Sequence, residues 1–123
     1  MHAFTIPGRP ITKKNSGRII QVKGRPMMIP SKKFKQYEKD AGHFLKPLKI
    51  AGPVEVTAHY YMPDRRSWPD LLGLLQSTAD ILEAHQVITN DRNIISLDNS
   101  RIKGVDKQNP RAEIYIKEVD KDG

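Results

Sequence analysis

The sequence predicts an α/β fold: one domain over residues 1–119, a mixed sheet with two main helices packed on it, and a frayed tail at 120–123. Three observations predict it. Val54–Met62 (VEVTAHYYM) alternates apolar and polar residues, as a half-buried strand does. Over Asp70–His85, Leu71, Leu74, Leu75, Thr78, Leu82 and His85 recur at helical spacing. Around these two segments the elements run strand, hairpin, helix, strand, helix, strand, strand.

Each element has a local cause. Ala3–Ile6 reads as a short strand stopped by Pro7-Gly8 and Pro10. A basic polar loop follows, with Lys13, Lys14, Asn15, Ser16, Gly17 and Arg18, and it matches no phosphate-loop pattern. Ile19–Val22 and Met27–Ile29 flank Lys23-Gly24-Arg25 as a hairpin whose second strand Pro26 confines to an edge. Ser31 is placed as the N-cap of the first helix, which Pro47 ends. Phe34, Tyr37, Ala41, Phe44 and Leu45 form its apolar face, so the aromatic residues read as core rather than as base-stacking groups. Lys32, Lys33, Lys35 and Lys39 cover the remainder.

Gly52-Pro53 introduces the best strand, and Pro63 ends it in the loop Asp64-Arg65-Arg66-Ser67-Trp68-Pro69. Asp70–His85 is the second helix, with Gly73, Ser77, Asp80 and Ala84 on a small-residue strip open to close approach by another backbone or subunit. Ile94–Asp98 reads as a strand, the stretch from Asn99 to Pro110 as a loop, and Arg111–Val119 as the last strand.

Charge narrows the function. The net is +7, but residues 1–49 carry +10 and residues 50–123 carry −3. A basic half joined to an acidic half fits a protein that holds a polyanion on one part and cations on the other. The alternative is a lysine-rich solvated surface. Hydrophobic residues make up 37% of the chain, which suits a polar surface or a dimer interface. With no cysteine, a metal would be bound by oxygen or imidazole, and the expected compartment is a reducing cytoplasm. No apolar run is long enough to span a membrane, and MHAFTIPGRP lacks the layout of a secretory signal.

The chemistry concentrates in 61–98. Asp70, Asp80, Asp91 and Asp98 are the carboxylates there, and Arg65 and Arg66 carry forks that match phosphate oxygens. Mg²⁺ typically takes one or two protein carboxylates and fills its other positions with water and phosphate. Asp70 alone is explained as an N-cap, so the case rests on its meeting Asp91. That requires the chain to fold back along a helix about 24 Å long, or the acids to meet across a dimer. Trp68, the single tryptophan, has two readings: a base-stacking group, or a plug holding the loop to the core.

These residues resemble a family. The run MPDRR…PDL, with Asp80 in the helix and Asn90-Asp91 after it, is similar in order and spacing to the RusA Holliday junction resolvases. The opening strand, proline turn and Lys14-Asn15 extend the resemblance over most of the chain. It implies a homodimer that cuts four-way DNA junctions with Mg²⁺ or Mn²⁺ held by aspartates. In that light Asp70 and Asp91 are the catalytic acids, and Asp80 and Asp98 are further candidate metal ligands. Lys13, Lys14, Asn15, Arg18, Arg65, Arg66, Trp68 and Arg101 are the candidate DNA contacts. The family is often encoded by bacterial prophages, and neither a small-molecule cofactor nor a membrane partner is expected.

The departures fall in the acidic site. Where the family reads Asp-Leu-Asp-Asn-Leu-x-Lys, this chain has Asp70-Leu71-Leu72-Gly73-Leu74-Leu75-Gln76. A leucine cannot bind a metal, and glutamine lacks the charge to stabilise a developing oxyanion. The expectation is a structure-selective endonuclease with a remodelled or weakened site. The alternatives are a junction- or duplex-binding protein without catalysis, and a structural α/β protein with no nucleic-acid role.

Overall fold

The computed structural model describes residues 1–13, 18–29, 32–66 and 68–120. Its strands are β1 (His2–Pro7), β2 (Arg18–Val22), β3 (Arg25–Ile29), β4 (Val54–Met62), β5 (Ile94–Ser96), β6 (Arg101–Val105) and β7 (Arg111–Glu118). The α-helices among the described residues are α1 (Lys32–Ala41) and α2 (Leu71–Ala84). The fold is therefore the expected mixed sheet with two helices packed on it.

β4 organises the sheet because its alternation leaves one face wholly apolar. Val54, Val56, Ala58, Tyr60 and Met62 are buried, whereas Glu55, Thr57, His59 and Tyr61 point to the other face. On one side β4 pairs antiparallel with β7, which pairs antiparallel with β1. On its other side β5 lies parallel to the start of β4 and β6 parallel to its end. The turn between β5 and β6 interrupts that lane. There the β4 ladder is completed by a side chain, as the Ala58 N–H donates to Ser100 Oγ at 3.0 Å. A parallel neighbour requires a crossover connection, and α2 supplies it between β4 and β5.

The helices bury their apolar faces on this sheet. Leu74, Ile81 and Leu82 of α2 and Phe34 and Ala41 of α1 join Ile6, Val54, Ile114 and Ile116 in one core. Full burial of each large aliphatic side chain contributes about 1.5–3 kcal/mol. Tyr60 enters this core with its hydroxyl satisfied, donating to the Leu74 carbonyl at 3.1 Å and lying 2.6 Å from Thr78 Oγ1. Burial pushes its phenol well above the usual tyrosine range.

The lysines at 32, 33, 35 and 39 are exposed, as expected of the basic face of α1. Its lower end differs from expectation. Helix α1 stops at Ala41 and tightens into a 3₁₀ turn over Gly42–Phe44, several residues before Pro47. Phe44 is thereby turned out to 46% exposure and is not core, while Leu45 is buried. The tightening lets α1 close on α2. His85, the C-cap of α2, donates from Nε2 to the Glu38 carbonyl at 2.6 Å, and a Cβ at Gly42 would stand 2.7 Å from its ring.

Two further elements modify the expected order. Arg101–Val105 is a strand rather than loop, and the strand expected over 94–98 ends at Ser96. The hairpin β2–β3 forms its own two-stranded ribbon, where Pro26 costs no ladder to a further strand. Lys23 and Gly24 both take positive φ at its turn, the conformation that matches hairpin twist. Ser31, Lys14 and Asn15 lie outside the described residues.

Candidate functional site

Helix α2 starts where the sequence places an acid. Asp70 is extended and its carboxylate accepts from the Gly73 N–H at 3.1 Å, so it caps the helix. Gly73 makes room for that arrangement, since a Cβ there would lie 2.9 Å from Asp70 Oδ1. The small-residue strip admits another backbone, that of the segment after β1. Lys13 N–H donates to the buried Ser77 Oγ at 3.3 Å, and Thr12 is buried beside Gly73.

This approach forms a cleft of about 310 Å³ lined by Lys13, Asp70, Leu72, Gly73, Gln76, Ser77 and Asp80. Lys13 Nζ pairs with Asp80 at 3.1 Å and lies 5.8 Å from the Phe34 ring centroid. Gln76 Nε2 donates to the other Asp80 oxygen at 3.2 Å. Asp70 and Asp80 share the cleft, yet ten residues of helix separate them by about 15 Å of rise. One cation is not bridged by both.

Asp91 reaches the same helix from the opposite direction. Asn90 caps a 3₁₀ turn over Asp91–Asn93, and the Asp91 N–H donates to Glu83 Oε1 at 3.0 Å. The chain has thus turned back along α2. A second cleft, about 280 Å³, is lined by Leu72, Leu75, Gln76, Ala79, Asp91, Ile94 and Leu97. Leu72 and Gln76 line both clefts. They form the ridge between Asp70 and Asp91, and Leu72 is 78% exposed on it.

Asp98 lies elsewhere, in the β5–β6 turn. Its carbonyl accepts from Thr57 Oγ1 at 3.0 Å, and it lines neither cleft. Among the described residues no three acidic or histidine side chains gather in a way that could hold a metal. The donor set fits a hydrated ion held by one carboxylate, water and a substrate phosphate, not an ion caged by protein.

The basic residues divide by place. Arg65 and Arg66 are exposed in the loop after β4, where Arg66 N–H donates to Asp64 Oδ1 at 2.8 Å. Arg9 Nη2 donates to the Arg66 carbonyl at 3.3 Å and ties this loop to the first turn of the chain. Trp68 follows in the same loop with its indole N–H donated to the Asp64 carbonyl. Arg101 is exposed at the start of β6, opposite His59, and Arg18 begins β2. Ser77 belongs to the small-residue strip that the sequence singles out, whereas Thr12 and Glu83, which pack beside the clefts, were not singled out. Their roles depend on contacts 8 to 64 residues apart, for which a linear pattern holds no signal.

A second polar cluster occupies the outer face of the sheet. Arg111 pairs with Asp106 and Glu113, both at 2.8 Å, and lies 3.8 Å from the Tyr61 ring centroid. The hydrogen bond from Arg111 holds the Glu113 carboxyl below the usual glutamate range.

The protein-family model described as Endodeoxyribonuclease RusA matches residues 7–117 of the 123. No curated protein matches the chain at a significant level. Among the described residues no helix is long and apolar enough to cross a membrane.

Proposed function

This chain belongs to the RusA endodeoxyribonuclease family, and from that premise we propose that it is a structure-selective DNA endonuclease with a weakened acidic centre. The family comprises nucleases that act on Holliday junctions, which are branched DNA. The observation that carries the finer reading is the ridge of Leu72 and Gln76 between Asp70 and Asp91. An acid and a lysine on that ridge would join the two clefts into one charged centre. An apolar and a neutral side chain keep them apart.

In this reading Asp70 and Asp91 are the catalytic acids and would each hold Mg²⁺ or Mn²⁺ with water and a DNA phosphate. The bound cation would supply charge neutralisation at the scissile phosphate. Asp80 positions Lys13 beside the first cleft. Lys13, Arg65, Arg66, Arg101 and the basic segment with Lys14, Asn15 and Arg18 would hold the DNA backbone, Trp68 would contact a base, and the exposed lysines of α1 add to the field. We further propose a homodimer in the cytoplasm, for which the exposed Ile95 and Leu97 offer apolar surface.

A second reading has one observation in its favour, the lack of a three-acid group among the described residues. It is a junction-binding protein that does not cut. The deciding experiment incubates the chain with synthetic four-way junctions in Mg²⁺ and in Mn²⁺. Slow paired nicks that disappear in Asp70→Asn and Asp91→Asn support the nuclease. Salt-sensitive junction binding with no nicking in either metal leaves only the binding protein.

A further inference from the structure

We propose that Arg65, Trp68, Gly104 and Val105 form a receptor for one unstacked nucleobase of the branched DNA. The proposal rests on the DNA-processing reading above and adds how a branch would be recognised. These four residues line a cavity of about 350 Å³, at the lower end of the range for small-ligand pockets, about 300–1,000 Å³. It lies where β4 and β6, which run parallel, both end. Ligands of open α/β sheets bind in the crevice outside the carboxyl ends of such strands. The two ends are held together, as the Asp106 N–H donates to the Met62 carbonyl at 2.8 Å.

The floor of the cavity is built by a bulge. Tyr60 pairs with Ile102 but Tyr61 with Gly104, so one extra residue is inserted in β6. Gly104 has φ of +143°, a conformation other residues rarely adopt, and among the described residues nothing lies within 4 Å of where its Cβ would be. A glycine in a strand interior often marks close approach of a ligand or backbone. Among the described residues no backbone fills that space.

The wall is an indole with its polar edge already used. Trp68 Nε1 donates to the Asp64 carbonyl, which pins the ring while leaving it 41% exposed. What it offers an incoming group is aromatic surface. Arg65 beside it offers a planar cation that stacks on heterocycles and pairs with phosphate. Val105, also partly exposed, closes the apolar side.

Position favours a base over any other flat apolar group. Trp68 precedes Asp70 by two residues, so their Cα atoms are at most about 7 Å apart. A base seated on Trp68 would therefore place its own backbone beside the acidic cleft, with Arg65 and Arg66 exposed in the same loop. Removing a base from its stack costs least where it is already unpaired, so such a receptor favours branch points over uninterrupted duplex.

The single tryptophan makes the test direct. Intrinsic fluorescence of the full chain is followed in EDTA, so that no DNA is cut, with a four-way junction and with a duplex of the same sequence. The expected result is quenching by the junction at least twofold greater than by the duplex. Trp68→Leu should weaken junction binding about tenfold and more than it weakens duplex binding, and Trp68→Phe should restore most of the loss. Circular dichroism and melting temperature confirm that both variants fold. Saturable junction binding with unchanged emission, or with equal affinity in Trp68→Leu, overturns the receptor and leaves the nuclease reading standing. Absence of any DNA binding overturns both.

Discussion

Lys13 Nζ stands 3.1 Å from a carboxylate oxygen of Asp80, joining the segment after the first strand to the middle of α2. The pair crosses the cleft that holds Asp70, and both partners are partly solvated, so its contribution to stability is small, about 0–1 kcal/mol. Replacing Lys13 by methionine should leave the melting temperature nearly unchanged. Its loss should be felt in binding: junction affinity falls, and the slope of log affinity against log salt decreases by about 1. Titrations at several salt concentrations measure both.

Asp70 has two separable duties, capping α2 and offering charge to the cleft. Asparagine caps nearly as well as aspartate, whereas alanine costs about 1 kcal/mol. Asp70→Asn should therefore keep the urea midpoint while removing any junction nicking. Asp70→Ala should lose both. Equal nicking by wild type and Asp70→Asn would refute a catalytic duty.

Restoring charge to the ridge should strengthen the site. Leu72 is exposed, and substitutions at such positions usually change stability by no more than about 0.5 kcal/mol. The double variant Leu72→Asp with Gln76→Lys should fold normally. We expect at least a tenfold faster nicking rate in Mn²⁺ and heat of Mn²⁺ binding measurable by calorimetry. A variant that folds but gains neither would show that Leu72 and Gln76 are not what limits the site.

Tyr60 is buried in the core, and its hydroxyl joins β4 to α2 through Leu74 and Thr78. Tyr60→Phe removes both contacts and leaves Thr78 Oγ1 to find another partner. A loss of about 1 kcal/mol is expected, measured by urea denaturation with the slope unchanged.

Glu113 gives a pH dependence. Its folded pKa is depressed, chiefly by the Arg111 hydrogen bond. The stability it contributes is thus present above the ordinary glutamate value, about 4.3, and is lost as pH falls through the lower folded value. In melting curves between pH 6 and pH 2, Glu113→Gln should start lower and decline less steeply below pH 4. An identical decline in both proteins would contradict this.

The elements with strong local causes were legible in the sequence. The alternation of 54–62 names β4, and the periodic run from Asp70 to His85 names α2 with its N-cap Asp70, while His85, read there as part of the apolar face, is the C-cap. β6 was hidden because RIKGV has glycine and charge where a strand pattern needs apolar alternation. It exists through backbone pairing with β4 and a bulge that only the tertiary fold supplies. Phe44 obeys helical spacing in the sequence but leaves the core when the helix tightens before it. The site was half legible. Asp70, Asp91, Leu72 and Gln76 are all visible as residues, but the sequence reading needs Asp91 to meet Asp70, and the structure places Asp91 beside Glu83 and in a different cleft from Asp70. That Leu72 and Gln76 stand between the acids, and that Lys13 is brought to Asp80 from 67 positions away, depends on packing no local pattern encodes.

The seat of His85 against Gly42 has a consequence for how a polyanion meets this molecule. The helix that carries Lys32, Lys33, Lys35 and Lys39 is clamped at its lower end to the helix that carries Asp70 and Asp80. Positive and negative ends of the surface field cannot swing independently. In the proposed reading a strand of DNA drifting near the protein would experience a torque before it makes any contact, its backbone drawn toward the lysines of α1 and held off by the acids. A side chain at position 42 would wedge that clamp open. Its first symptom would be a slower, less oriented encounter, with the affinity of the final complex changed less.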